Sequence, residues 1–507
     1  MKTVKDILIL ISSRFSVHAV GIISQVIIAA KFGASYAMDA YLVAMGIPQF
    51  SNRVLVGGLQ KMFIPVFFSE RQLSNDSAQQ FVNKIITLFS LILLFIAILS
   101  FFFSSVLISA VAPGLDRQTS MLGSNILKTI ASMIFFLGLQ GLITSLHHCY
   151  GKFALPAIVP MFGSAIIILS LMIFADKIGI YALAIGNTLS GLFVVLILLR
   201  KIRHRVKIDL KVLHRSVAKG LKLLWPLLLA SSFYKSTMVI DRMIASFLPT
   251  SSISYLEYAN KLNKMVLIIS SAISTVFFPK ISQIAYHDDY KEFKELLLTY
   301  FVLVAMVVIP IAVFLFVSGQ LLIQILFERG RFDQNASICT FRALRFYTGY
   351  LIGVALGGIT ANALYSLQKS KAAAAIGIFG ASTNIILDIV LVRRLSYSGI
   401  ALASSCAVVP NVFLHLSVLR RRIGCLRGKE LLTSLLKIIA CSIIMGLVLF
   451  ALPRFHVIDI RILDRILNLG FSVAVAAIAY ISLLYLMRVS EFKSLVARRG
   501  RIALGQE

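Results

Sequence analysis

The amino-acid sequence predicts an all-α polytopic membrane protein with about fourteen transmembrane helices, and two observations support this fold class. First, hydrophobic residues make up 59% of the 507 residues, and the mean hydropathy is +0.91. Second, the apolar residues form repeated continuous runs of about 20, which is the length that a helix needs to cross a bilayer. Because these runs do not alternate between apolar and polar residues, a transmembrane β-barrel is excluded.

The apolar runs place the predicted helices in chain order. The first run is interpreted as a retained helix rather than a signal peptide, because Arg14 and His18 interrupt it and no small-residue cleavage site follows. The predicted helices cover residues 7–30, 37–67, 81–111, 121–149, 154–175, 179–200, 217–247, 252–282, 295–317, 338–366, 371–392, 397–419, 431–452 and 465–488.

Short sequence matches recur at a nearly constant spacing along the chain. Gly163 and Gly380 lie within similar tripeptides, and Lys152 and Lys369 are separated by the same interval as these two glycines. Six helices fit within this interval, so the two repeats would have the same orientation in the membrane. We therefore expect two pseudo-symmetric six-helix lobes, two additional helices and a basic tail, over residues 1–205, 206–425, 426–490 and 491–507.

The net charge of +29 has a simple explanation in a membrane protein. The densest Lys and Arg clusters follow Arg200, follow Arg420 and lie in the tail, and cytoplasmic loops are enriched in these residues. This distribution predicts that both termini are cytoplasmic, and it removes the need for a nucleic-acid partner. The five cysteines are scattered and form no CxxC pair, so no disulfide framework is indicated. Without a P-loop, catalytic triad or HExxH motif, the chain is expected not to be an enzyme.

One predicted membrane helix, within residues 31–68, carries side chains that a lipid-facing helix would not. Asp39, Pro48, Arg53 and Lys61 interrupt its apolar character. An ionised side chain at bilayer depth costs about 2.5–3.5 kcal/mol, so it should face protein or water. The sequence therefore predicts that this helix lines a polar, water-filled cavity within a helical bundle.

A cationic cavity of this kind suits an anionic substrate, whose passage through a low-dielectric interior requires fixed positive charges. Alternatively, each cation extends to the membrane interface or pairs locally, as Lys261 would with Glu257 one helical turn away. The predicted substrate-binding cations are Arg14, Arg53, Lys61, Lys261 and Lys264.

A second set of polar residues suits a hard cation. Carboxylate, amide, hydroxyl and backbone oxygens are the donors that Na⁺ prefers. The alternative is an ordinary ion pair at a helix end, Asp241 with Arg242 or Asp388 with Arg393. The predicted sodium ligands are Asp241, Asn384, Asp388, the Ile400 carbonyl and Ser404, and no other cofactor is expected.

Several motifs resemble those of one family of membrane transporters. They are Phe32-Gly33-Ala34, Asp39-Ala40-Tyr41, Ile47-Pro48, Arg53, Phe63-Ile64-Pro65, Ala112-Pro113-Gly114 and Tyr258-Ala259-Asn260-Lys261-Leu262. On these residues the chain resembles the MviN/MurJ family, the lipid II flippases of the MATE-like multidrug/oligosaccharidyl-lipid/polysaccharide exporter superfamily. The resemblance covers essentially the whole chain.

This resemblance implies a flippase of the bacterial inner membrane that moves lipid II, a polyprenyl-diphosphate-linked peptidoglycan precursor, to the outer leaflet by alternating access. It also implies that Asp39 gates the cavity by pairing with a cation. The alternative for Asp39 is a carboxylate stabilised by the dipole of its own helix. The expected partners are the lipid-linked glycan, membrane lipids and cell-wall synthases, and the protein is expected to be a monomer.

The chain also departs from the family pattern. Family members carry arginines where this chain has His18 and Ser24, an arginine pair at Asn52-Arg53, and Asp-Arg at Asn260-Lys261. Arginine binds a diphosphate in a bidentate manner, whereas lysine acts as a point charge. The nearest alternative is therefore a flippase for an O-antigen or exopolysaccharide lipid precursor. Further alternatives are a MATE-type drug exporter, a membrane scaffold and a membrane-embedded glycosyltransferase.

Overall fold

The computed structural model describes residues 17, 19–202, 206–210, 215–286, 290–424, 428–452 and 461–487. These residues are almost entirely helical, and no strand occurs among them. The helices are α1 (Ala19–Phe32), α2 (Tyr36–Leu73), α3 (Asn75–Phe102), α4 (Ser104–Val111), α5 (Arg117–Ile130), α6 (Ser132–Cys149), α7 (Ala154–Ile178), α8 (Tyr181–Arg200), α9 (Arg215–Ala245), α10 (Ser252–Tyr286), α11 (Tyr290–Leu326), α12 (Gln334–Ser366), α13 (Ser370–Leu395), α14 (Tyr397–Ile423), α15 (Gly428–Ala451) and α16 (Arg461–Leu486).

The predicted fold class is confirmed, since each predicted helix has a counterpart among these sixteen. Two predicted helices are interrupted: residues 81–111 divide at Phe103 into α3 and α4, and residues 121–149 form α5 and α6, which meet at a bend of 44°. Within the described residues, nine helices are long and apolar enough to cross a membrane, or ten if α5 and α6 form one span.

The chain divides into two compact units. One comprises residues 1–254 and 329–332, and the other comprises residues 255–328 and 333–507. The first unit extends beyond the predicted lobe over residues 1–205 because α9 packs against α2. Spatial contact does not define a sequence repeat, so the predicted lobe boundaries stay a prediction.

Aromatic rings build much of the core of the first unit. Phe63 and Phe67, one turn apart on α2, stack with ring centroids 6.4 Å apart. Phe81 of α3 packs against Phe63 at 5.5 Å, and all three side chains are at most 1% exposed. This packing fixes the later half of α2 against α3.

Two glycines allow the end of α1 to touch the segment between α11 and α12. Gly33 (φ +62) and Gly330 (φ +58) both adopt left-handed conformations that favour glycine. The Arg331 N–H donates to the Ala30 carbonyl at 2.9 Å. A Cβ on Gly33 would collide with the Arg331 carbonyl, and one on Gly330 with the Ala30 carbonyl. This close approach places residues 329–332 in the first unit.

The backbone conformation repeats at the same interval as the sequence matches. Gly179 has φ 58° and ψ −135°, and Ser396, its counterpart at this interval, has φ 52° and ψ −141°. Gly151 has φ 68° and its counterpart Gln368 has φ 58°. Both pairs of corresponding positions thus share a left-handed φ, which supports the predicted pseudo-symmetry.

In the second unit, α12 packs closely against α14 through glycines spaced by four residues. An added Cβ on Gly349 would lie 2.9 Å from the Cβ of Ser405, and one on Gly353 would lie 2.5 Å from Val408. Small residues at this spacing let two membrane helices approach closely. The same interface therefore fixes the position of α14, which carries candidate cation ligands.

The Ser405 hydroxyl also bonds to the backbone of α12. It accepts a hydrogen bond from the Tyr350 N–H at 2.8 Å and donates to the Phe346 carbonyl at 2.5 Å. These two groups stand four residues apart and would pair with each other in an undisturbed helix. A side chain that inserts between such groups is a known cause of helix bending.

Candidate substrate and cation sites

The Asp39 carboxylate lies in the first turn of α2 and is 3% exposed. It accepts the Ser251 N–H at 2.6 Å, the Ser254 N–H at 2.8 Å and the Ser254 hydroxyl at 2.5 Å. The first N–H groups of a helix have no partner within that helix. Asp39 therefore binds donors at the start of α10, which neither sequence interpretation anticipated. Its gating role stays a prediction.

Arg53 lies further along α2, on its exposed side. Its Nη1 is 3.2 Å from the sulfur of Met238 on α9. The guanidinium therefore lies beside α9 and remains accessible, as a substrate-binding arginine must be.

Arg242 is a cation that the sequence suggested only as a pairing partner for Asp241. It lies on α9, one turn beyond Met238, and is 8% exposed. Its guanidinium lies where a Cβ on Gly46 would be. It is the one buried arginine among the side chains that the structure describes.

A spacing of seven residues on α2 is the sequence signal that could have indicated the contact between Gly46 and Arg242. Asp39, Gly46 and Arg53 follow one another at intervals of seven residues, so they share one face of the helix. Gly46 and Arg53 of this face contact α9, and Asp39 contacts the start of α10. This face therefore carries Asp39, the predicted gate, Gly46, whose missing side chain makes room for Arg242, and Arg53, a predicted substrate-binding cation.

The lysines of α10 belong to the second unit. Lys264 forms an ion pair with Glu257 at 3.3 Å, and the Lys261 ammonium lies 5.1 Å from the centroid of the Tyr258 ring. A cation over an aromatic face is stabilised by about 0.5–2 kcal/mol. Glu257 therefore pairs with Lys264, two turns further along α10. It lies on the same helix face as Lys261.

Two predicted substrate cations cannot be placed in this way. Arg14 lies outside the described residues, as does His18, and only the backbone of Lys61 is described, within α2. Their proposed role therefore stays a prediction.

The predicted sodium ligands fall in both units. Asp241 belongs to the first. In the second, Asp388 and Ile400 are 0% exposed, Asn384 is 7% exposed and Ser404 is 8% exposed. No cluster of three or more His, Cys, Asp or Glu side chains that could hold a metal occurs within the described ranges. The buried donors are thus oxygen and amide groups, as a hard monovalent cation prefers.

Comparison with known proteins identifies the family. A model of the lipid II flippase MurJ family matches residues 28–489. The lipid II flippase MurJ of Burkholderia cenocepacia is 25% identical over 487 residues, which cover 92% of this chain and 94% of the relative. The probable lipid II flippase MurJ of Buchnera aphidicola subsp. Baizongia pistaciae is 27% identical over 464 residues, 89% of this chain and 90% of the relative.

Solved structures give the same result. A lipid II flippase MurJ in an inward closed conformation matches with a TM-score of 0.82 at 25% identity and covers 94% of this chain and 99% of its own. An inward-facing multidrug resistance MATE family transporter of the MOP superfamily matches with a TM-score of 0.69 at 15% identity, over 80% of this chain and 96% of its own, which supports the fold alone. With a family match that extends from α1 to α16, this multi-pass membrane protein belongs to the MurJ family of lipid II flippases.

Proposed function

We propose that this chain translocates lipid II from the inner to the outer leaflet of the bacterial cytoplasmic membrane by alternating access. The observation that carries the proposal is the family match over residues 28–489, which includes every helix from α2 to α16. The protein would act as a transporter without a catalytic step, with both termini cytoplasmic and as a monomer. Cell-wall synthases that use lipid II would be its partners.

The diphosphate of the substrate would be held by the cations predicted from the sequence, among them Arg53 and Lys261. Arg53 supports this assignment because its guanidinium is accessible and lies next to α9. Arginine can bind two phosphate oxygens at once, which suits the diphosphate group. Lys261 would add a point charge.

Sodium is the proposed coupling ion. Asn384, Asp388, Ser404 and the Ile400 carbonyl are all buried in the second unit and offer hard oxygen donors. An ionisable side chain buried within a membrane helix is uncommon and marks a candidate functional site. Asp241 remains a further ligand predicted from the sequence.

Complementation tests the substrate. The resident lipid II flippase of a bacterial host is depleted, this chain is expressed, and growth is recorded together with the exposure of lipid II on the outer leaflet. We expect rescue by the natural chain and loss of rescue in Arg53→Ala. Arg117→Ala is the matched control, because Arg117 is an exposed arginine at the start of α5.

The control variant should rescue as the natural chain does. If the natural chain reaches the membrane but exposes no lipid II, the lipid II assignment is wrong. The same assay with an O-antigen or exopolysaccharide lipid precursor would then identify another glycan. Loss of rescue in Arg117→Ala as well as Arg53→Ala would contradict a specific role for Arg53.

A further inference from the structure

Two buried amides on neighbouring helices of the second unit each have an atom without a hydrogen-bond partner. Asn384 of α13 is 7% exposed and its Nδ2 has no partner, and the buried Oδ1 of Asn411 on α14 has none. An unsatisfied buried polar atom is destabilising, and most of all within the hydrocarbon of a membrane. The two atoms are complementary, because an amide nitrogen donates and an amide oxygen accepts.

Gly380 places these amides near each other. An added Cβ on Gly380 would collide with the Asn411 amide, so this amide rests on the bare face of Gly380. Asn384 lies one turn further along α13, a rise of about 6 Å. A water molecule between the two amides would make hydrogen bonds of about 2.7–3.2 Å to each. A water that accepts from Asn384 and donates to Asn411 satisfies both groups.

Further buried polar side chains lie on either side of Asn384 and Asn411 and form a line of polar groups with them. Asp388 lies one turn beyond Asn384 and is 0% exposed, and His415 lies one turn beyond Asn411 and is 7% exposed. The Nδ1 of His415 is 3.0 Å from the hydroxyl of Thr360 on α12. Because α13 and α14 are consecutive antiparallel helices, the line runs from Asp388 toward the end of α14 that carries its basic last turn.

We propose that a hydrated passage between α13 and α14, built around Asn411, conducts a monovalent cation to the oxygens of Asn384 and Asp388. The amide oxygen of Asn411 and the bridging water supply the hard donors that such a cation needs as it loses its hydration shell. The hydration follows from the two unsatisfied amides alone. The cation step rests on the proposed coupling of transport to an ion.

Cysteine accessibility tests the passage. In the full-length chain with its five native cysteines replaced, Asn411→Cys is treated with a small, charged methanethiosulfonate reagent, whose sulfur is attacked by a thiolate that water can reach, forming a mixed disulfide and releasing methanesulfinate. We expect modification several-fold faster than for Phe413→Cys. Phe413 is the matched control because it lies two residues away on α14 and is 65% exposed on the apolar outside. Sodium should slow modification at position 411 several-fold, whereas N-methylglucamine at equal ionic strength should not.

Either of two results overturns the passage: a thiol at position 411 that reacts no faster than the one at 413, or a rate that sodium leaves unchanged. A second variant provides an independent test if Asn411→Cys does not fold. In Gly380→Ala the new methyl displaces the Asn411 amide, so the sodium concentration that half-saturates thermal stabilisation should rise several-fold. Gly358→Ala is the control, because a Cβ there meets nothing within 4 Å. An unchanged midpoint in Gly380→Ala also overturns the passage.

These outcomes are distinct from those that test the substrate. If the natural chain exposes lipid II and the Asn411→Cys variant shows no sodium effect, the protein has its proposed function and lacks the passage. If the Asn411→Cys variant shows the sodium effect and the natural chain exposes no lipid II, the protein has the passage and another substrate.

Discussion

The Tyr480 hydroxyl donates a 2.8 Å hydrogen bond to the Met306 carbonyl, which Pro310 leaves without its usual helical donor. A proline has no N–H, so the carbonyl four residues before it in α11 needs another partner. Inside a membrane such a group must be satisfied by protein. The bond therefore attaches α16 to α11 at the point where the hydrogen-bond ladder of α11 is interrupted.

Tyr480→Phe should destabilise the second unit. The change removes the hydroxyl and leaves the Met306 carbonyl unsatisfied, so we expect a loss of about 1–3 kcal/mol in the free energy of unfolding. The measurement is the melting temperature in detergent. Tyr485→Phe is the control, because Tyr485 lies on the same helix and is 66% exposed. Equal melting temperatures for the two variants would show that another group satisfies the carbonyl.

Ser396→Gly should stabilise the protein. Ser396 has φ 52° and ψ −141°, a conformation that is unfavourable for any residue with a Cβ and costs about 1–3 kcal/mol. We expect the melting temperature to rise. The reciprocal change, Gly179→Ser, should lower it, since Gly179 has nearly the same conformation. A fall in both variants would show that the serine side chain contributes more than its backbone strain costs.

Asp39→Asn should weaken the contact between α2 and the start of α10. An amide presents an NH₂ group to one of the donors of Ser251 and Ser254, so two donors would face each other. Hydrogen bonds to charged groups contribute about 1.5–3 kcal/mol, and we expect a stability loss of that order. Melting temperature and lipid II exposure are measured together, with the exposed Asp76→Asn as control. Lost transport at full stability would favour the gating role instead.

Gly46→Ala should destabilise the interface between α2 and α9. The new methyl would occupy the position of the Arg242 guanidinium, so Arg242 or α2 must move. In open surroundings the same change stabilises a helix by about 0.5–1 kcal/mol. Gly21→Ala is such a control, because a Cβ there meets nothing within 4 Å. We therefore expect the melting temperature to fall in Gly46→Ala and to rise in Gly21→Ala.

A double-mutant cycle identifies the cause. If the collision with Arg242 is responsible, Arg242→Ala should remove most of the effect of Gly46→Ala. Effects that simply add would show that Gly46 is needed for a different reason.

The fold class was predictable because membrane helices depend on long apolar runs, which are visible in any single sequence. The bend between α5 and α6 was not, since it depends on how two helices pack and no proline marks it. Asp39 was recognised as unusual for its place in an apolar stretch. Its partners in residues 251–254 were not predictable, because they lie far from it along the chain.

Arg242 shows why the partners of a cation are hard to predict from sequence. Its neighbour Asp241 suggested a local ion pair, but nothing along α9 indicated that the guanidinium also fits against a glycine on another helix. Lys264 shows the opposite case, since its ion pair with Glu257 lies within one helix and was within reach of spacing arguments.

The discontinuous first unit has a consequence for dividing the protein into two polypeptides. A gene cut between codons 254 and 255 would yield an N-terminal fragment that lacks residues 329–332. In that fragment the Ala30 carbonyl would lose the Arg331 N–H, and Gly33 would lose the backbone on which it packs. The missing piece would arrive only with the C-terminal fragment, so co-expression, rather than separate purification, is the way to reconstitute the protein from halves.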